Sequence, residues 1–281
     1  MKITDFKIPT RLDEALAALR DLGPAALPVA GATSLVFIPE DQPMTAVDLN
    51  RLGLDGIRRD GDAFRIGAAT RVAALQKRHE PGWVLDRVAL TLSSQQIRNE
   101  STLGGNICRV FPWSDFPAAL LALGAGLVIR GAQEKEMTAD EFFSSQPARL
   151  FRGGDLLTHI RVPAVGAGAG FGYKKVRQTA TGFSLATAAA CLQLDGGGIR
   201  SARAALSAAV PFPARCAAVE AALAGKKASE GLLREAALNG LSGLKFKEAE
   251  GMSAEYIGRL AAVTLGDALV EAWAQAKEQA S

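Results

Sequence analysis

The chain has 281 residues, 48% hydrophobic and 22% charged, with a formal charge of +3. That length allows roughly three-quarters of the unfolded surface to be buried in one or two domains, and the composition excludes a mainly disordered chain. The balanced charge gives no basis for a nucleic-acid partner. The three cysteines and two histidines lie far apart, with no C-x-x-C pair, which excludes a zinc ribbon, a redox dithiol and an all-cysteine iron–sulfur cluster.

In chain order, Leu12, Leu16 and Leu19 predict a first helix, with Thr10 as cap and Asp13 at the capping-box position. Ala26–Ala30, Thr45–Leu49 and Phe64–Ala68 predict strands, with Arg58–Gly61 as a turn. Thr70 is placed as the cap of a helix through Leu75 and Gln76, and Phe116–Leu123 as an Ala/Leu-rich helix. Gly126–Gly131 and Leu156–Val162 predict further strands. Ala164–Gly172, AVGAGAGFG, has no periodicity and marks a domain boundary. Beyond it, Tyr173–Arg177, Ser184–Leu194 and Ile199–Ala209 predict strands, Asp195–Gly198 a hairpin turn, and the Ala-rich remainder three helices, the last over about Ala254–Lys277. The order implies an α+β chain, with domains at 1–165 and 171–281. No run approaches the roughly 18 apolar residues of a membrane helix, and the N-terminus lacks a signal-peptide apolar run. A cytoplasmic protein without membrane insertion is expected.

The usual nucleotide and hydrolase signatures, G-x-G-x-x-G, the phosphate-binding G-x-x-x-x-G-K loop and G-x-S-x-G, are absent. Two segments remain. Val29-Ala30-Gly31-Ala32-Thr33-Ser34 follows a strand, and Thr102-Leu103-Gly104-Gly105-Asn106 lies further on. Glycine lets backbone N–H groups turn toward a ligand, and successive inward N–H groups make a nest for phosphate oxygens. Asp115, nine residues after Asn106, offers a carboxylate to ribose hydroxyls. Taken singly, each segment reads better as a tight turn at a strand end.

The order of segments carries more. Ile97-Arg98-Asn99-Glu100-Ser101-Thr102-Leu103-Gly104-Gly105-Asn106, then Pro112 and Asp115 before Phe116–Leu123, resembles the FAD-binding medium subunit of the molybdenum hydroxylases, the group of carbon monoxide and xanthine dehydrogenases. Ile66-Gly67-Ala68-Ala69-Thr70, Asp48-Leu49-Asn50, Asp155-Leu156-Leu157 and Tyr173-Lys174-Lys175-Val176 extend the resemblance over nearly the whole chain.

The resemblance implies a two-part FAD-binding domain of the vanillyl-alcohol-oxidase-like type, followed by a smaller α+β domain with an antiparallel sheet. It implies non-covalent FAD, its pyrophosphate wrapped by Val29–Leu35 (Val29, Ala30, Gly31, Ala32, Thr33, Ser34 and Leu35) and closed over by Thr102, Gly104, Gly105 and Asn106, with Cys108 nearby. Asp115 would bind a sugar hydroxyl, and Leu156 and Leu157 would lie near the flavin ring or adenine. Lys174 would sit at the isoalloxazine, with Lys175 the competing choice. Molybdenum cofactor and iron–sulfur clusters would belong to separate large and small partner subunits, with NAD, a quinone or dioxygen as acceptor. One departure is Ala32, where the family usually has a second glycine; either the loop keeps an ordinary backbone there or it is strained. Phe111 and Trp113 are expected to pack rather than shape access, and to be covered by a partner. His79 is expected in solvent, His159 toward solvent or a partner, Cys191 and Cys216 in cores, and Arg149, Arg152 and Arg161 on a solvated face. The alternatives are a stand-alone FAD-dependent oxidoreductase and a flavin-free scaffold of the same fold.

Overall fold

Among the described residues, three sheets, each from a different stretch of sequence, fix where everything else sits. The computed structural model describes residues 2–37, 43–111, 113–145, 147–151 and 154–280; Pro112 and Arg152 fall outside them. The first stretch runs β1 (Lys2–Lys7), α1 (Leu12–Leu22), β2 (Ala26–Val29) and β3 (Pro43–Asp48). These strands form a parallel sheet in the order β1-β3-β2. Ala15, Leu16 and Leu19 of α1 pack on Val47 of β3 and on Leu156, as the helical spacing of the leucines predicts. The helix starts one residue later than the sequence suggests. The Glu14 carboxylate, not Asp13, accepts from the Thr10 and Arg11 N–H groups (3.2 and 3.3 Å), while Asp13 takes the Arg11 guanidinium (3.0 and 2.7 Å).

The second stretch contains β4 (Ile57–Asp60), β5 (Ala63–Gly67), α2 (Val72–Lys77), α3 (Leu85–Thr91), α4 (Gln95–Glu100), α5 (Leu103–Cys108), α6 (Phe116–Leu123), β6 (Gly126–Arg130), β7 (Glu134–Thr138), α7 (Ala139–Ser144), α8 (Pro147–Leu150) and β8 (Leu156–Pro163). Its five antiparallel strands run β4-β5-β8-β6-β7. Arg58–Gly61 is therefore not a turn. Residues 57–60 form the edge strand of a hairpin whose tight turn is Gly61 (φ +60) and Asp62. Thr70 does not cap α2: Arg71 is the N-cap, and the Thr70 hydroxyl donates to Gly56 O (3.1 Å). All eight residues of α6 are buried, because this helix lies between sheets and meets apolar neighbours all round.

The third stretch contains β9 (Ala169–Arg177), β10 (Ser184–Asp195), β11 (Gly198–Ser207), β12 (Ala214–Arg215), α9 (Ala217–Leu223), α10 (Glu230–Asn239) and α11 (Ala254–Ala280), with an antiparallel sheet β12-β11-β10-β9. Gly196 and Gly197 (φ +57 and +83) turn the β10–β11 hairpin at the expected place. Ala169–Gly172, expected as linker, is instead the start of β9. A Cβ on Gly170 or Gly172 would lie 2.0 or 1.9 Å from the carbonyl of Ala272 or Ala268, so these glycines let α11 lie directly on the strand. Glycines used for packing leave no polar–apolar alternation to read.

The third sheet reaches back onto the second stretch. Tyr173 Oη donates to Asp115 O (3.2 Å), Ser207 Oγ to Ser114 O (3.4 Å), and Arg203 to Leu121 O and to Asp140 (2.8 Å). The first two of these bonds hold Ser114 and Asp115, which wall the site.

Candidate functional site

A cavity of about 1080 Å³ lies where the three stretches meet, at the upper end of the ~300–1,000 Å³ usual for ligand pockets. It is lined by all of Val29–Leu35, by Thr102, Gly104, Gly105, Asn106 and Cys108, and by Asp115, Leu156 and Leu157. Segments remote in sequence are thus brought to one wall.

The first loop has the form expected of an anion nest. Among the described residues, the N–H groups of Gly31, Ala32, Thr33 and Ser34 have no protein acceptor, and the first N–H with one is Leu35, bonded to Ala32 O (3.1 Å). Ala32 is left-handed at φ +57, a backbone that ordinarily falls to glycine. Gly31 has a different task. A Cβ there would lie 2.2 Å from Glu100 O, so glycine lets this loop close on the end of α4. The contact is completed by Thr33 Oγ1 against Ser101 Oγ (3.0 Å).

The second segment is not a nest. Thr102 caps α5, its hydroxyl accepting from Gly105 N–H (3.1 Å). Leu103, Gly104 and Asn106 N–H groups donate to Thr70 O (3.0 Å), Ala68 O (2.8 Å) and Thr102 O (3.1 Å). These four amides are already used by the protein, so this segment offers the cavity its surface and the Asn106 carboxamide rather than a row of amides. Asn106 Oδ1 accepts from Phe116 N–H (3.2 Å), which leaves its NH₂ with no protein acceptor among the described residues. Gly104 is required for packing, since a Cβ would lie 2.7 Å from Ala68 O.

Among the described residues, Arg109, Asp115, Asp155 and Lys175 bring charge to the wall, and the most deeply buried of these charges are Asp115 and Lys175. The Asp115 carboxylate forms a buried ion pair with Lys175 Nζ, which also donates to Thr91 O (3.3 Å). Burial pushes the Asp115 carboxyl upward, against the opposing pull of Lys175 and Arg177. Lys175 lines the cavity; Lys174 does not, and its ammonium faces Glu271 (3.4 Å). The expectation of Lys174 at the site is therefore corrected to Lys175, since neighbours on a strand point to opposite faces.

Several contributors were not legible. Arg98, in the I-R-N run, donates to Leu92 O and Ser93 O (2.8 and 2.9 Å) and fixes Ser93 at φ +38 in the cavity wall. Trp113 stacks between Phe111 (5.1 Å) and Phe183 (4.3 Å), and Phe37 meets all three edge-on at 5.6–5.8 Å. Phe37 and Phe183, 43% and 50% exposed, complete the aromatic rim. Phe111 and Trp113, expected to pack rather than shape access, pack on each other and also line the cavity; Phe37 and Phe183 come from separate loops, so no spacing in the sequence announces them.

Cys108 lies in the wall, but burial pushes its thiol far up and Arg109 does not offset this. His79 is exposed, and His159 is half-buried against Arg65 (3.0 Å). Cys216 is buried, and Arg161 is exposed and pairs with Asp62 (3.0 Å). Among the described residues, no cluster of His, Cys, Asp or Glu can hold a metal ion, and no helix is long and apolar enough to cross a membrane.

Comparison with known proteins agrees with this geometry. Residues 2–165 match the FAD binding domain in molybdopterin dehydrogenase, and residues 171–272 match the CO dehydrogenase flavoprotein C-terminal domain. The chain is 28% identical to the carbon monoxide dehydrogenase medium chain of Hydrogenophaga pseudoflava, over 96% of this chain and 97% of that one. It is 27% identical to the caffeine dehydrogenase subunit beta of a Pseudomonas species, over 95% and 94%. A solved carbon monoxide dehydrogenase from H. pseudoflava, lacking the Mo-pyranopterin moiety of its molybdenum cofactor, superposes with a TM-score of 0.92 at 30% identity, over 98% of both chains. The chain belongs to the family of FAD-binding medium subunits of molybdopterin dehydrogenases, and is a flavoprotein oxidoreductase subunit.

Proposed function

We propose that this chain holds FAD non-covalently in the 1080 Å³ cavity and carries electrons from an iron–sulfur partner subunit to an external acceptor. The observation that carries this reading is the run of open N–H groups from Gly31 to Ser34 on the wall of a dinucleotide-sized cavity. Those amides, with the hydroxyls of Thr33 and Ser34, take the pyrophosphate. Val29, Ala30, Leu35, Thr102, Gly104, Gly105, Asn106, Leu156 and Leu157 enclose the rest. A flavin supplies one- and two-electron chemistry, which joins a one-electron cluster to a two-electron acceptor. Non-covalent attachment is supported by the half-buried Cys108, whose thiol is pushed up by burial, and by the exposed position of His79.

Molybdenum and iron–sulfur centres belong in this reading to separate subunits, with NAD, a quinone or dioxygen as acceptor; the relatives' names, medium chain and subunit beta, place those proteins in multi-subunit enzymes. The proposed division into an FAD-binding domain, 1–165, and a C-terminal domain, 171–281, is supported by the family matches at 2–165 and 171–272. The protein works in the cytoplasm in this reading. The cavity's buried carboxylate is already paired with Lys175, which suits holding a cofactor better than proton abstraction from a substrate. The flavin-free scaffold loses its motive, because Ala32 keeps the glycine-like conformation.

The test is purification of the chain alone and with its complex. The isolated chain should carry FAD but neither iron nor molybdenum. Small aldehydes, purines and aromatic heterocycles should bleach the flavin only in the presence of the partner subunits. Bleaching of the isolated chain by one of them would establish a stand-alone oxidoreductase instead.

A further inference from the structure

We infer that Lys175 and Asp115 together tune the reduction potential of the flavin site, Lys175 as the buried cation of the cavity wall, beside the half-buried Arg109, and Asp115 as the residue that positions it. The inference rests on the proposal that FAD occupies this cavity. Both side chains line it, and both are nearly closed to solvent, at 5% and 8% exposure. Three elements converge to hold them. Lys175 comes from β9, Asp115 from the residue before α6, and the carbonyl of Thr91, the last residue of α3, accepts from Lys175 Nζ (3.3 Å) and from Arg177 Nη1 (2.7 Å). Tyr173 Oη anchors the Asp115 main chain at 3.2 Å.

A buried ion pair is a poor device for stability. Removing two charges from water costs several kcal/mol per ion, and replacing such a pair by apolar residues is often neutral or stabilising. This pair stands in the wall of a ligand cavity rather than within a core. There the surrounding low dielectric strengthens the field of each charge on whatever is bound. Lys174 supplies the internal contrast: one residue away, it faces Glu271 and is 43% exposed. A fixed cation favours the more electron-rich state of a bound cofactor, and a fixed anion disfavours it. Charge placed against the flavin is one of the ways a protein tunes its electronics. The two residues therefore act with opposite sign, and Asp115 also fixes where the ammonium sits.

The experiment is equilibrium reduction of the purified, FAD-loaded chain against a reference dye, after FAD content has been measured. Lys175→Met should lower the ratio of reduced to oxidised flavin at a fixed dye potential by about tenfold, equivalent to ~30 mV for a two-electron couple. Asp115→Asn should raise that ratio, and Lys175→Arg should stay near wild type. Opposite shifts support the inference, because a merely structural defect would not change sign between the two partners. Asp115→Asn reads the effect independently should Lys175→Met fail to fold. Shifts in the same direction, or none beyond twofold in either variant, would overturn it while leaving FAD binding intact. A wild-type chain without FAD would overturn the reading of the cavity itself.

Discussion

Gly31→Ala and Ala32→Gly exchange the same methyl group at adjacent positions of the first loop, and their effects should be opposite. At Gly31 the added carbon would lie 2.2 Å from Glu100 O, 3.0 Å from Glu100 C and 3.1 Å from Ser101 Cα. All three neighbours are main chain, so the loop must retreat from α4 by about 1 Å to restore ordinary contact. Over-packing of this kind costs ~1–3 kcal/mol, and losing the Thr33–Ser101 hydrogen bond adds ~1 kcal/mol. Each ~1.4 kcal/mol that falls on the loaded state weakens binding tenfold, so FAD affinity should fall at least ~tenfold. At Ala32, φ is +57, a conformation that costs an L residue with a Cβ ~1–2 kcal/mol. Glycine removes that cost but returns ~0.4–1 kcal/mol through its freer unfolded chain. The net gain of ~0.5–1 kcal/mol corresponds to ~1–4 °C in Tm. Thermal unfolding by circular dichroism gives the stabilities, and fluorescence titration of the apoprotein with FAD gives the affinities. A Gly31→Ala chain as stable and as tight-binding as wild type would refute the reasoning, as would a lower Tm for Ala32→Gly.

Other consequences can be checked separately. Gly105→Val should lose FAD while keeping its far-ultraviolet spectrum, since Gly105 lines the cavity and its added Cβ would meet only Thr102 Oγ1 (2.9 Å). Gly243→Val, where nothing lies within 4 Å, should bind FAD normally, and equal flavin contents would remove Gly105 from the site. Burial first, then the charge of Arg65, lowers the His159 pKa below 6.5, so its contribution is present above pH 6.5 and is lost as pH falls through the folded value. Urea unfolding at about pH 7.5 and 5.5 should therefore show a larger acid loss for wild type than for His159→Gln; equal losses would contradict the assignment. Burial raises the Cys191 and Cys216 thiols to about 11 and 12 and Cys108 further still, so a thiol reagent at about pH 8 should label the native chain slowly and the unfolded chain fully. Cys108 and Cys191 are half-buried and Cys216 is buried, so rapid native labelling of Cys216 would contradict its burial.

What the sequence disclosed depended on the range of the physics involved. The fully apolar α6 and the Gly-Gly hairpin turn are local, and both fall where composition places them. The first loop was legible because an open nest needs small residues in a row, and Ala32 shows that alanine can hold the left-handed backbone that favours glycine. The Thr102–Asn106 run was legible as part of the site but not in its means. Whether an amide is free depends on Ala68 and Thr70, more than thirty residues earlier. The choice between Lys174 and Lys175 depends on strand register, where a shift of one residue exchanges the two faces. The Gly170 and Gly172 segment read as a linker because its partner is the main chain of α11, about a hundred residues later. Helices α4 and α5, six residues each, are too short to show a period.

The central claim is most directly tested by the flavin stoichiometry of the purified chain after acid precipitation. A yellow protein that releases about one FAD per chain into the supernatant is the predicted result. A colourless protein that takes up no added FAD, or flavin that stays with the precipitate, would contradict it.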